Sequence, residues 1–117
     1  MNVAKVDSLA KFSVEGYEKI PISGSEGLIR LLCFEPKQSV PLHKHPQGDE
    51  YFYVIQGEGK FTLGNEETEV EAGCMVKAPA RVLHQWKNGS KRLVLLSVLI
   101  HPSIYNLADK TTRMERV

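Results

Sequence analysis

Three of the chain's four histidines and one carboxylate fall where their side chains could meet. His43 and His45 flank Lys44, and Glu50 follows after four intervening residues. On an extended backbone, residues i and i+2 point to the same side, so the two imidazoles can present ring nitrogens to one point, as a chelate does. Glu50 begins a strand whose face also carries Phe52 and Val54, an apolar pair expected to look inward. A charged group on an inward face needs a compensating partner, and a divalent metal held by the histidines supplies one. Alternation puts His84 on the same face as Val82 and Trp86, which suggests it as the fourth donor. Three neutral imidazoles and one carboxylate suit Fe, Mn, Ni, Co, Cu or Zn and leave positions open for water or substrate. A His-x-His before a strand is, alone, more often a pair of scattered surface histidines; the carboxylate and His84 are what single it out. His101, followed by Pro102, is left over and reads as a structural or surface residue.

Around this cluster, alternation turns Phe52, Val54, Phe61, Leu63, Val70, Val76, Trp86 and Leu95 inward, and most of them serve to fill the interior. Phe52 and Trp86 are also candidate walls of a substrate pocket, and Trp86, two residues from His84, could floor a planar substrate. Gln47, between the histidines and Glu50, could hydrogen-bond a metal-bound ligand. Arg30 could bind a substrate carboxylate if Leu28 and Leu32 face the cavity, or form an exterior salt bridge if they do not. Asp49 points away from Glu50 and is expected in solvent, while Tyr51 and Tyr53 are expected in sheet packing or a dimer interface. No catalytic residue is assigned, and no organic cofactor is implied.

The elements that must position these groups are short strands. Leu28 to Phe34 stops at Glu35-Pro36, and Tyr51 to Ile55 closes at Gly57-Glu58-Gly59. Lys60 to Leu63 and Thr68 to Ala72 alternate with period two around Gly64-Asn65, a hairpin pattern. Cys74 to Ala78, Val82 to Lys87 and Leu93 to His101 complete the series. No amphipathic helical stretch intervenes, which favours an antiparallel sandwich or barrel over a parallel sheet. Ser103 to Arg113 alone has the spacing for a short terminal helix. Tyr51, Tyr53 and Ile55 make one strand apolar on its outer face too, so that face needs cover from another sheet, an N-terminal segment or a second subunit. A homodimer is expected.

The 117 residues suffice for one domain, and 42% apolar with 25% charged residues is an ordinary globular composition. A net charge of +1 shows no excess for neutralising phosphates, so no nucleic-acid partner is expected. The longest nearly uninterrupted apolar run, Leu93 to Ile100, is broken by Ser97 and is far short of the ~20 residues of a membrane-spanning helix. The N-terminus carries Asp7 and lacks a signal-like apolar core, so no membrane association and a cytoplasmic location are expected. Cys33 and Cys74 form neither a CxxC pair nor a disulfide framework and read as two buried thiols.

His43, Lys44, His45, four residues, Glu50, six residues and Gly57 together resemble the first motif of the cupin superfamily. Gly73, five residues, Pro79, His84 and then Asn88 resemble the second. The short spacing between them, residues 58 to 72, is similar to that of small single-domain metal-binding cupins of bacteria and archaea. Two glycines of the pattern are replaced, by Lys37 and Arg81, so the turns at both places are open to another form. The resemblance implies an all-β, antiparallel β-barrel of jelly-roll type, a single cupin domain over residues 1–117. Residues 1–27 would be N-terminal strands or an arm, 28–101 the barrel, and 102–117 a tail or short helix. It also implies one divalent transition metal on His43, His45, Glu50 and His84. Fold does not fix reaction. The leading expectation is an oxygenase or dioxygenase acting on a small polar molecule; the alternative is a non-catalytic metal-dependent binding or sensor protein. Decarboxylation of the oxalate type, which in similar proteins uses an extra carboxylate, is disfavoured because no second acid faces inward.

Overall fold

The computed structural model describes residues 3–22 and 28–100. Its elements are a single helical turn, α1 (Val6–Leu9), and eight strands: β1 (Glu18–Pro21), β2 (Ile29–Phe34), β3 (Asp49–Gln56), β4 (Glu58–Leu63), β5 (Glu66–Glu71), β6 (Met75–Ala78), β7 (His84–Asn88) and β8 (Leu93–Ile100). A five-stranded sheet in the order β1-β2-β8-β3-β6 faces a three-stranded sheet in the order β5-β4-β7, and the ladders are antiparallel. The fold is the expected all-β jelly roll, with one correction: the two sheets are not closed into a barrel. The edge strand β5 carries Glu66, Glu67, Glu69 and Glu71, and such a run of like charge resists pairing with a further strand. The short helix expected over Ser103 to Arg113 lies outside the described residues, as does His101. No helix among the described residues is long and apolar enough to cross a membrane.

Between the sheets lies the main core, where Leu32, Phe34, Phe52, Val54, Phe61, Trp86, Leu93 and Leu95 pack together. Each comes from the inward parity of its strand, as alternation requires. Phe52, Phe61 and Trp86 pack as a triangle, with ring centroids 5.9 Å (Phe52–Phe61), 4.9 Å (Phe61–Trp86) and 5.4 Å (Phe52–Trp86) apart. A second cluster, Leu31, Cys33 and Val94, lies on the outer face of the five-stranded sheet. Val6, Leu9, Ala10 and Phe12 of the N-terminal arm cover it, so part of the outer apolar face is screened by the chain itself. Gln38 fastens that arm by donating from Nε2 to the Ser13 carbonyl at 2.6 Å. Both cysteines are free; Cys33 is buried, which raises its thiol pKa, whereas Cys74 is only half-buried.

Two turns retain the geometry that glycine would supply. Lys37 and Arg81 have φ of 68° and 66°, the non-glycine residues at positive φ among those described. The turns therefore keep the left-handed form despite the substitutions, at a steric cost that glycine would not incur. Asp49 corrects another expectation. It lies opposite Glu50 but is mostly buried, accepting a hydrogen bond from the Ala80 backbone N–H at 2.8 Å, with Lys77 Nζ 3.6 Å away.

Candidate metal centre

The chain before β3 runs antiparallel to β7. Val40 donates from its N–H to the Trp86 carbonyl, and His43 and His84 exchange backbone hydrogen bonds of 3.0 and 2.7 Å. Directly paired residues of an antiparallel ladder project to the same face, so this bridge sets the two imidazoles side by side, centroids 4.3 Å apart. His45 follows on the same parity, its ring centroid 5.2 Å from that of His43. Glu50 arrives from the opposite sheet, where β3 lies between β6 and β8. One potential ligand atom from each of His43, His45, Glu50 and His84 lies within 4.8 Å of the other three.

The tautomers favour ligation. Nδ1 of His43 is 2.7 Å from the Pro41 carbonyl and Nδ1 of His84 is 3.3 Å from the Val82 carbonyl. A carbonyl only accepts, so each Nδ1 carries the proton and each Nε2 is left with a bare lone pair. The His84 Nε2 is buried without a hydrogen-bond partner, 3.3 Å from Glu50 Oε1 and outside hydrogen-bond geometry. A nitrogen lone pair facing a carboxylate oxygen is repulsive unless a cation stands between them. That arrangement fits a metal ion, and His43, His45, Glu50 and His84 would hold it. Burial lowers the His43 pKa, aided by the neighbouring His84 and His45, which favours the neutral ligating form.

Glu50 is 2% exposed. Burial pushes its carboxyl up, while the hydrogen bonds with Ser97 and His45 draw it down, and the balance lies below the ordinary carboxylate value. His45 Nε2 lies 2.8 Å from Oε1, the Ser97 hydroxyl donates to Oε2, and Arg30 Nη2 donates to Oε2 at 3.1 Å. Ser97 escaped the sequence reading, although its parity with Leu93 and Leu95 marks it as an inward polar residue. Arg30 proves to face inward, on the row Arg30–Ser97–Phe52 across β2, β8 and β3.

A cavity of about 220 Å³ opens beside the cluster. Of the candidate pocket residues, Arg30, Phe52 and Trp86 line it; Gln47 is exposed in its loop and lies outside the lining. Tyr17 and Lys19, from the strand region that the sequence left undefined, also line it. Register explains this: Lys19 pairs with Leu32 across β1 and β2, so both share the inner face, with Lys19 exposed at the cavity's mouth. Asn88, the last position of the second motif, is structural. Its Nδ2 donates to the carbonyls of Glu35 and Lys91 at 2.9 and 2.6 Å, joining two turns.

Residues 30–99 match the family described as Cupin domain. A 47-residue stretch is 38% identical to the uncharacterized protein MJ1618 of Methanocaldococcus jannaschii, covering 40% of this chain and 38% of that protein. The match thus spans well under two thirds of that relative. Among solved structures, TT1209 from Thermus thermophilus is similar with a TM-score of 0.79 and 30% identity, over 86% of this chain and 98% of that one. An uncharacterized conserved protein with a double-stranded beta-helix domain from Klebsiella pneumoniae has a TM-score of 0.76 and 23% identity, over 85% and 89% of the two chains. This second structural likeness speaks for the fold alone.

Proposed function

The chain belongs to the cupin family, and from that premise we propose that it binds one divalent transition metal on His43, His45, Glu50 and His84 and acts as an oxygenase on a small molecule. The observation that carries the metal assignment is the buried His84 Nε2, aimed at Glu50 Oε1 with no hydrogen bond between them. Iron bound there would supply a redox centre with open positions for substrate and oxygen. The protein's own contribution is positioning and exclusion of water. Carbonyl contacts fix the His43 and His84 rings, Ser97 and Arg30 fix the Glu50 carboxylate, and Leu32, Val40, Phe52 and Trp86 make the cavity wall largely apolar. Among the described residues lining the cavity, Glu50 is the one carboxylate, and it is committed to the cluster. A proton-donating acid of the kind decarboxylation uses has no counterpart there. The same reading takes the protein to be a cytoplasmic homodimer, in keeping with its two free cysteines and the apolar residues left exposed on the outer sheet face.

Metal analysis of the purified protein, then of the His43→Ala, His45→Ala and His84→Ala variants, tests the binding. Occupancy should approach one ion per chain and fall in each variant, because each loses a donor; unchanged occupancy in all three would overturn the assignment. Protein loaded anaerobically with Fe(II) should consume a bound substrate only after oxygen is admitted. A ligand that binds yet stays chemically unchanged in air with Fe, Mn, Ni, Co and Cu would replace the oxygenase reading with that of a sensor.

A further inference from the structure

Two polar groups in the cavity wall remain unexplained by the cluster. Arg30 Nε and Trp86 Nε1 are both buried N–H donors without a hydrogen-bond partner, and both residues line the same cavity. Buried donors are rarely left unpaired, since each then costs about 1–3 kcal/mol; both atoms are covered by their neighbours, and it is the partly exposed remainder of the Arg30 side chain, 16% exposed, that meets the cavity. Beside the histidine cluster, what this wall offers an incoming molecule is N–H donors, which points to a ligand rich in lone pairs. The charges agree. With neutral histidines, Arg30 and Lys19 set two cations against the single carboxylate of Glu50, and a bound divalent metal would raise the excess further.

We propose that this cavity is the receptor for a small monocarboxylate, with Arg30 and Lys19 holding its anionic end and Phe52 and Trp86 bounding its apolar body. Arg30 spends one Nη2 hydrogen bond on Glu50, its side chain stays 16% exposed, and a guanidinium presents its donors in the plane that a carboxylate matches. The volume of about 220 Å³ falls below the ~300–1,000 Å³ that house drug-sized ligands, which limits the body to about one ring or a short chain. Glu50 within the same wall disfavours a dianion. The assignment deepens the proposed function by naming its substrate class. Its core, the Arg30 contact, does not depend on the metal.

Trp86 is the only tryptophan of the chain, so its emission reports on the cavity. Emission is titrated with benzoate, with the neutral isostere benzamide and with inorganic phosphate, on zinc-loaded and on EDTA-treated protein. Benzoate should saturate the response in both forms, benzamide should bind about tenfold or more weakly, and phosphate should not compete at equal concentration. Arg30→Gln should weaken benzoate by about tenfold or more while leaving benzamide unchanged. Lys19→Met, at the solvent-exposed mouth, should weaken it about two- to fivefold. Arg30→Lys keeps the charge beside Glu50 and serves if the glutamine variant does not fold; it too should lose several-fold in benzoate affinity.

Equal affinity for benzoate and benzamide would overturn the proposal, as would phosphate displacing benzoate. If the preference exists only in the zinc-loaded form, the metal holds the carboxylate and Arg30 does not. If Arg30→Gln lowers zinc occupancy but keeps the benzoate preference, Arg30 is a positioning residue for Glu50, and the receptor assignment falls. Should zinc fail to bind while EDTA-treated protein still prefers benzoate, the metal reading fails and the carboxylate receptor stands.

Discussion

Glu50 reaches the cluster from a different sheet than the histidines do, so its orientation depends on what grips it. Ser97 and Arg30 both act on Oε2, leaving Oε1 turned toward His45 and His84. Outer partners of this kind commonly govern metal affinity by ~10–100-fold. Ser97→Ala should therefore weaken metal binding about tenfold, as read by competition with a chromophoric chelator; wild-type affinity would show that the hydroxyl has no part in orienting the ligand. The hydrogen bonds of Glu50 with Ser97 and His45 also make metal-free stability depend on acid. The carboxyl is held below its ordinary 4.5, so its folded-state pKa is depressed. Its contribution is complete above about pH 4.5 and is lost as pH falls toward 2. Urea unfolding of EDTA-treated protein between those pH values should show that decline, and Glu50→Gln should flatten it. A decline equally steep in Glu50→Gln would place the acid sensitivity elsewhere. The four cluster residues were legible in the sequence because strand parity and spacing turn each of them toward the interior. Ser97 was not, since a lone serine among leucines looks like a break in an apolar run until the partner strand is known.

The strands β2 to β8 were legible for a comparable reason: period-two alternation and turn residues mark them locally. β1 was not. Its four residues, Glu18–Pro21, mix polar and apolar positions, and Lys19 reads as an exposed residue although its register with Leu32 brings it to the cavity. The closure of the sheets was likewise hidden, because whether edge strands pair depends on contacts far apart in sequence. At the turns, the substituted glycines offer a direct measurement. Lys37 and Arg81 hold positive φ with a Cβ present, so Lys37→Gly and Arg81→Gly should each stabilise the fold by about 0.5–1 kcal/mol in chemical denaturation. No gain in either variant would mean that side-chain contacts offset the backbone strain. Gly57 and Gly73 provide the opposite comparison. Both have positive φ, but a Cβ on Gly57 would collide with the Arg92 carbonyl oxygen, whereas one on Gly73 meets nothing within 4 Å. Gly57→Ala should cost well over the ~1 kcal/mol expected for Gly73→Ala, because backbone must move to admit it.

Across the whole molecule, the inner and outer faces of the five-stranded sheet have separate tasks. The inner face carries Glu50, Arg30 and Ser97, and the outer face is apolar beyond what one chain covers. The N-terminal arm shields Leu31, Cys33 and Val94, but Ile29, Tyr53 and Met75 remain 36, 41 and 48% exposed. Register makes these residues continuous: Leu31, Leu96, Tyr53 and Met75 form one row across β2, β8, β3 and β6, and Ile29, Val98 and Tyr51 form the next. A contiguous apolar surface marks an association site, and a second copy presenting the same rows would bury it. Sedimentation at micromolar concentration should therefore show a dimer. Replacing both Tyr53→Glu and Met75→Lys should shift the population to monomer, since desolvating charged groups at a packed apolar contact is costly. The doubly substituted chain should still bind metal, because the cluster lies on the opposite face of the sheet. A wild-type monomer would remove the need for a partner on this face; a dimer unaffected by the double substitution would move the interface to the N-terminal strands.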